Sequence, residues 1–367
     1  MRIVQIIDSL EAGGAEKMAV NYANALANTI EFSGLVATRR EGLLLSQLNK
    51  NVSYLFLNKK GKIDLSAVFR FRKYLKENKV NVIHAHSSSF FTAVLVKLTL
   101  LKIKIIWHDH YGISQDLKQR KSTSLKISSL FFSGIISVND ALKNWAVSYL
   151  WSSNVVYFPN FISDFNDSEE KIKLNGIDGK RIVCVANLRP QKNHKLLIET
   201  ASIIRDKFPD LSFHLFGKDF KDSYSAQLFQ KIEKLKLQDS IFFYGSINNV
   251  GQVLKRCNIA VLPSLSEGLP LAVLEYGLYK LPVVATNVGE IKKVITSHHH
   301  GIITESDNLS EFSSAVERLI THVDERQAKG VNLHKFVELN YSEQSIIQEY
   351  VLWIKSLPNF ADNNSHK

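Results

Sequence analysis

Two carboxylates, Glu267 and Glu275, carry the strongest chemical signal in the chain, within Pro263-Ser264-Leu265-Ser266-Glu267-Gly268-Leu269-Pro270-Leu271-Ala272-Val273-Leu274-Glu275. The apolar run 259–262 reads as a strand and 271–279 as a helix, so Glu267 falls in the loop between them and Glu275 inside the helix. Glu267 can then point into a cleft beside the exposed N–H groups of Leu269 to Ala272, the end of a helix that favours anionic ligands. Glu275 is flanked by Leu274 and Tyr276 on an otherwise apolar helix. An unpaired carboxylate is costly in such surroundings, so a binding role explains it better than surface decoration.

Two further stretches follow strands and open helices. In Asn187-Leu188-Arg189-Pro190-Gln191-Lys192-Asn193-His194, Arg189 and Lys192 stand beside a helix start, an arrangement suited to a diphosphate. In Gly13-Gly14-Ala15-Glu16, paired glycines let backbone approach a bound group, and the next helix offers free N–H donors. A dinucleotide fold would place G-x-G-x-x-G there, and this stretch lacks it. Of the 12 histidines, His84 and His86 alternate at a strand end, where a structural hydrogen-bonding role is the simpler reading. His108 and His110 lie at the end of the next strand and the loop after it. No Asp-x-Asp metal signature is present, and no metal or other cofactor is expected.

The elements that position these residues are short apolar runs alternating with helical segments, the pattern of parallel sheets with helical crossovers. Strands are expected at 2–8, 32–37, 53–56, 82–85, 104–108, 134–138 and 155–158, with helices at 15–27, 65–77, 90–101 and 141–150. The rhythm restarts with strands at 181–186, 212–216, 241–244, 259–262, 283–285 and 301–303, and helices at 194–207, 224–235, 250–256, 271–279 and 310–322. The length of 367 residues exceeds what one core usually serves. The expected division is a first Rossmann-like domain at 1–163, a polar linker at 164–180 and a second Rossmann-like domain at 181–341. A helix at 342–357 packs back toward the first domain, and 358–367 form a flexible tail. The fold class is α/β, with two doubly wound domains whose strand carboxyl ends face a central cleft.

Charge is distributed unevenly. Residues 1–150 hold 21 Lys and Arg against 10 Asp and Glu, whereas 151–367 hold 25 of each, so the whole net charge of +11 lies in the first half. Such a half can serve nucleic acid, an anionic membrane face or a phosphorylated substrate. The run 3–7 is too short for a signal-peptide core and reads as a buried strand. The greasy stretch 90–107 is interrupted by Lys97, Lys102 and Lys104, so no spanning helix is expected. Cys184 and Cys257 sit in apolar runs and read as reduced thiols of a cytoplasmic protein.

Taken together, these stretches resemble the family 4 retaining glycosyltransferases of the GT-B architecture, whose hallmark is a Glu, seven intervening residues and a second Glu. The resemblance also rests on Val82-Ile83-His84-Ala85-His86-Ser87, His108-Asp109-His110-Tyr111-Gly112, Pro159-Asn160, Lys192-Asn193 and the run from Leu281 to Thr286. It implies a nucleotide-sugar donor held mainly by the second domain, with UDP the expected nucleotide. Glu275 would bind the ribose hydroxyls and Glu267 the hydroxyls of the transferred sugar. Arg189 and Lys192 would neutralise the diphosphate, helped by the segment Gly268, Leu269, Pro270 and Leu271 and by Gly14. The family usually places an Arg five residues before the Lys, where this chain has Asn187, which makes Lys192 the firmer assignment. A family histidine reaches the transferred sugar from the position of His110 or His108, the former favoured; Gly13, His108 and His86 are further candidates for contact with sugar or acceptor.

Retention by double displacement needs a carboxylate nucleophile on the far face of the sugar, and none is evident. The family reaction from one face, with the departing phosphate taking the acceptor's proton, leaves positioning and charge stabilisation to the protein. The expected acceptor is a saccharide or a polyprenyl-diphosphate-linked sugar in cell-surface polysaccharide synthesis. The protein would be cytoplasmic, in peripheral contact with the anionic inner face of the membrane. A nucleotide-sugar epimerase or soluble disaccharide synthase on the same fold is the competing enzyme reading. A non-catalytic nucleotide-sugar or nucleic-acid binding protein is a more remote one, since no aromatic-basic RNA motif or helix-turn-helix pattern is visible, and nucleic acid is not an expected partner.

Overall fold

The computed structural model describes residues 1–111, 117, 120, 122–163 and 172–358. They fall into two compact units, one of Met1–Ser163 with Ser342–Lys367 and the other of Asp164–Tyr341. Gly112 of the histidine turn, residues 164–171 of the linker and 359–367 of the tail lie outside the described residues.

The first unit is built on strands β1 (Arg2–Ser9), β2 (Phe32–Arg40), β3 (Ser53–Phe56), β4 (Val82–His86), β5 (Lys104–Asp109), β6 (Gly134–Ser137) and β7 (Val155–Tyr157), with helices α1 (Gly14–Ala27), α2 (Leu65–Glu77), α3 (Phe90–Lys97), α4 (Thr123–Ser128) and α5 (Asp140–Tyr149) between them. The sheet order is β3-β2-β1-β4-β5-β6-β7 and every described pairing is parallel. This is a doubly wound order that reverses between β1 and β4, where ligand crevices form in such sheets.

Strand alternation divides the sheet chemically. Val4, Ile6, Ile83, Ala85, Ile105 and Trp107 share an apolar core with Phe71 and Leu75 of α2. The intervening residues face the other way: Gln5 lies in register beside His84, and His86 beside His108. Over this polar face pack Tyr22 of α1 and Tyr350 of a helix from the end of the chain. That helix also sets Trp353 against β6, where a Cβ on Gly134 would lie 2.7 Å from the indole.

The second unit repeats the plan with β8 (Arg181–Val185), β9 (Ser212–Phe216), β10 (Ile241–Phe243), β11 (Ile259–Leu262), β12 (Val283–Thr286) and β13 (Ile302–Thr304). The order is β10-β9-β8-β11-β12-β13, again parallel throughout. Its helices are α6 (His194–Lys207), α7 (Ser223–Lys234), α8 (Val250–Leu254), α9 (Leu271–Leu278), α10 (Ile291–Val294), α11 (Leu309–Thr321) and α12 (Val323–Asn340), and the chain then ends in α13 (Glu343–Ser356), which belongs to the first unit.

The expected strands all form, within a few residues at their ends. The long helix α12 was not anticipated, because its inward residues are Lys329, Gly330, Leu333 and Val337 and no continuous apolar stripe marks it. The helix expected to reach residue 101 stops at Lys97, leaving Leu98 and Leu101 exposed. Both cysteines are free and buried, and burial raises each thiol to about 12. No helix among the described residues is long and apolar enough to cross a membrane.

Candidate functional site

In the second unit, the loops after β8 and β11 bring the predicted charges together. After β8 the chain makes a single turn of 3-10 helix, Pro190–Lys192, and Asn193 takes the left-handed conformation (φ 50°) before α6 begins. Asn is among the few residues that tolerate this backbone. The turn places Lys192 Nζ 2.6 Å from Glu267 Oε1. The Ser264 hydroxyl donates to the same oxygen at 2.6 Å, and the Leu265 N–H donates to the Gln191 carbonyl, joining the two loops through their backbones. Glu267 is only 5% exposed, so the ammonium compensates a carboxylate that would otherwise be expensive to bury.

The Glu267 loop is held from behind by backbone. Glu290 N–H donates to the Gly268 carbonyl, and the neighbouring Gly289 sits at φ +56°, where an added Cβ would lie 2.1 Å from the Glu267 carbonyl oxygen. Only glycine satisfies both conditions. Helix α9 then starts without a side-chain cap, Pro270 preceding its first residue. Leu271 can offer its N–H to a ligand there, whereas Pro270 has none and contributes shape alone. Glu275, half-buried, is the fifth residue of α9. Next to it, the fully buried Tyr276 accepts a 2.7 Å hydrogen bond from Val185 N–H and so fastens the helix to β8.

Arg189 is exposed and stacks over Phe220 at 4.7 Å. Lys218, which follows β9 and was not singled out from the sequence, lies over the same ring at 5.4 Å. Asn187, at the position where the resembled family has Arg, accepts from the Lys218 N–H at 2.7 Å. A turn asparagine thus anchors the loop that brings a lysine to Arg189. Ser264 and Lys218 have no signal in composition or spacing; only the folded loops assign them.

In the first unit the histidines converge. His84 Nε2 lies 3.2 Å from His108 Nδ1, His86 Nδ1 lies 3.0 Å from His110 Nε2, and His86 Nε2 lies 2.8 Å from Gln5 Oε1. The Tyr350 hydroxyl meets His84 Nδ1 at 2.9 Å. His84, His86 and His108 are buried, and that burial holds their imidazoles well below the usual range; it pushes His110 down to about 3. The contact with sugar or acceptor expected of His86 and His108 is therefore closed to them by burial, and half-buried His110 is the member that meets solvent. The neighbouring backbone is braced by Arg120, which binds Asp109 with both terminal nitrogens at 2.6 and 2.9 Å.

Nitrogens of His84, His86 and His108 lie within 4.8 Å of one another, close enough to consider a metal ion. Every one of them except His108 Nε2 is already bonded to a neighbour, so an ion would have to break the pairs that hold the cluster. At the start of α1, Gly13 is in extended backbone and the helix has no side-chain cap. The atoms nearest a Cβ on Gly13 would be those of the Glu16 carboxylate, and Gly14 is exposed.

Comparison with known proteins gives this geometry a family. Residues 12–164 match the model described as Glycosyltransferase Family 4, and residues 166–333 match that of Glycosyl transferases group 1. An uncharacterized glycosyltransferase of Haemophilus influenzae is 24% identical over 92% of this chain and 95% of its own. The Escherichia coli UDP-Gal:alpha-D-GlcNAc-diphosphoundecaprenol alpha-1,3-galactosyltransferase is 25% identical over 70% of each chain. The crystal structure of Anabaena HepE in complex with UDP and glucose shares the fold at a TM-score of 0.78, with 15% identity over 97% of this chain and 100% of that one. With both halves matched in order, the chain belongs to the family 4 glycosyltransferases and has the GT-B type of fold.

Proposed function

We propose that this glycosyltransferase moves a hexose from a UDP-sugar to a saccharide or polyprenyl-diphosphate-linked acceptor, with retention of configuration, in cell-surface polysaccharide synthesis. The observation that carries the donor assignment is the buried Glu267, paired with Lys192 at the uncapped start of the helix that bears Glu275. The second unit would take the donor: Lys192 and Arg189 facing the diphosphate with Lys218 nearby, Glu275 the ribose and Glu267 the sugar hydroxyls. The sugar–phosphate C–O bond breaks, the acceptor oxygen bonds to the anomeric carbon from the same face, and the acceptor proton passes to the departing phosphate oxygen. Fixed cations and helix N–H groups offset the charge that develops on the leaving group, so no divalent ion is required. The diphosphoundecaprenol substrate named for the E. coli relative and the UDP bound to HepE support the choice of acceptor and nucleotide. The charge excess in residues 1–150 supports contact between the first unit and an anionic membrane face, where a cytoplasmic enzyme would meet a lipid-linked acceptor.

A donor screen tests this reading. UDP-sugars at 100 times their Kd are expected to add about 2.7 kcal/mol of stability, seen as a rise in melting temperature that persists with a chelator present. Glu275→Ala is expected to abolish most of that rise. No response to any nucleotide sugar, or an equal response from the Glu275→Ala protein, would contradict the assignment.

A further inference from the structure

We propose that Gln5 is a positioning residue which, acting through His86, fixes the tautomer that His110 presents to a sugar hydroxyl. The proposal rests on the reading of His110 as the sugar-facing histidine of the first unit. Gln5 is unusual in its strand: it is completely buried in Ile3-Val4-Gln5-Ile6-Ile7. A buried amide is costly unless its atoms are bonded; here the amide nitrogen has no hydrogen-bond partner among the described residues, and the side-chain oxygen is committed to His86 Nε2 at 2.8 Å.

An amide oxygen can only accept, so His86 carries its proton on Nε2. A neutral imidazole has a single N–H, and burial keeps His86 neutral. Its Nδ1 is therefore a bare lone pair, and the nitrogen 3.0 Å away, His110 Nε2, must be the donor. His110 in turn is left with a bare Nδ1. It meets a hydroxyl as a neutral acceptor, which orients the hydroxyl proton toward the ring. Reversing the chain would present an N–H instead and turn the hydroxyl round. The second pair reaches a different kind of group. His84 and His108 end at the Tyr350 hydroxyl, which donates or accepts equally well. Of the two chains, the one that ends on the Gln5 oxygen meets an atom that can only accept, and this gives it a direction.

The test reads the proton directly. Side-chain 15N spectra of the labelled, unmodified protein at neutral pH are expected to show His110 protonated at Nε2 and bare at Nδ1. Gln5→Leu is expected to mix the two tautomers and to lower kcat about tenfold through lost orientation, with KM for the donor held within about twofold. Gln5→Glu, which keeps an acceptor oxygen in place, is expected to keep the Nε2 tautomer. A His110 proton found at Nδ1 in the unmodified protein overturns the role of Gln5, and so does a Gln5→Leu protein whose kcat and His110 tautomer are both unchanged. Should Gln5→Leu fail to fold, the spectrum of the unmodified protein decides alone. A His110→Ala protein with undiminished turnover would overturn the sugar-facing role itself, which the tautomer measurement does not depend on.

Discussion

Glu267→Ala is expected to lower sugar transfer by about 10²- to 10³-fold, the usual cost of removing one preorganised polar group from a reacting centre, and Lys192→Ala by a similar factor. The two side chains form one unit: each supplies the other's counter-charge at 2.6 Å. Their losses should therefore not multiply, and the double variant should be about as slow as either single one. Stability separates them. Removing Lys192 leaves a carboxylate that is 5% exposed without its ammonium, whereas removing Glu267 leaves an ammonium that is 24% exposed and can turn to water. Lys192→Ala should thus melt lower than Glu267→Ala, and the double variant should recover part of the loss. Initial rates with a labelled donor, measured alongside thermal unfolding, check both statements. A Glu267→Ala protein that keeps more than about a tenth of the parent rate would remove this residue from the site.

Acidification is expected to destabilise the first unit through its four buried histidines. His84, His86, His108 and His110 all have pKa values lowered by burial, against about 6.5 in an unfolded chain. The unfolded chain therefore takes up protons first as the pH falls. The cluster's contribution is complete above about pH 6.5 and is lost progressively below it, by up to about 1.4 kcal/mol per pH unit for each histidine. All four shifts have the same sign, so their losses act together as the pH falls below about 6.5. Trp107, Trp145, Trp151 and Trp353 are all the tryptophans of the chain and all belong to the first unit, so intrinsic fluorescence reports on this unit. Urea midpoints followed by fluorescence at pH 7, 6 and 5 should fall steeply. A midpoint that does not move across that range would contradict a cluster of buried neutral imidazoles.

Much of this was legible in the residues because alternation is a strong physical signal. Val82-Ile83-His84-Ala85-His86 already places both histidines on one sheet face, and Leu271 to Leu278 already reads as an apolar helix with a single carboxylate. The Glu267 and Lys192 loops could be placed at strand ends without knowing that their side chains meet. Partners that depend on long-range packing were not legible. Gln5 reads as one polar residue in a greasy strand, Tyr350 as part of an amphipathic terminal helix, and neither points to His84 or His86 until β1, β4 and α13 are assembled. Lys218 is one lysine among many, and its stacking beside Arg189 follows from a turn held by Asn187. Helix α12 was missed because Gly330 and Lys329, which it turns inward, carry no hydrophobic pattern.

The donor assignment is tested most directly by a structure of the protein with UDP bound. Diphosphate oxygens are expected within about 3 Å of Lys192 Nζ, and the ribose hydroxyls are expected to donate to the Glu275 carboxylate. A diphosphate seated away from Lys192, or a ribose that makes no contact with Glu275, would contradict the central claim.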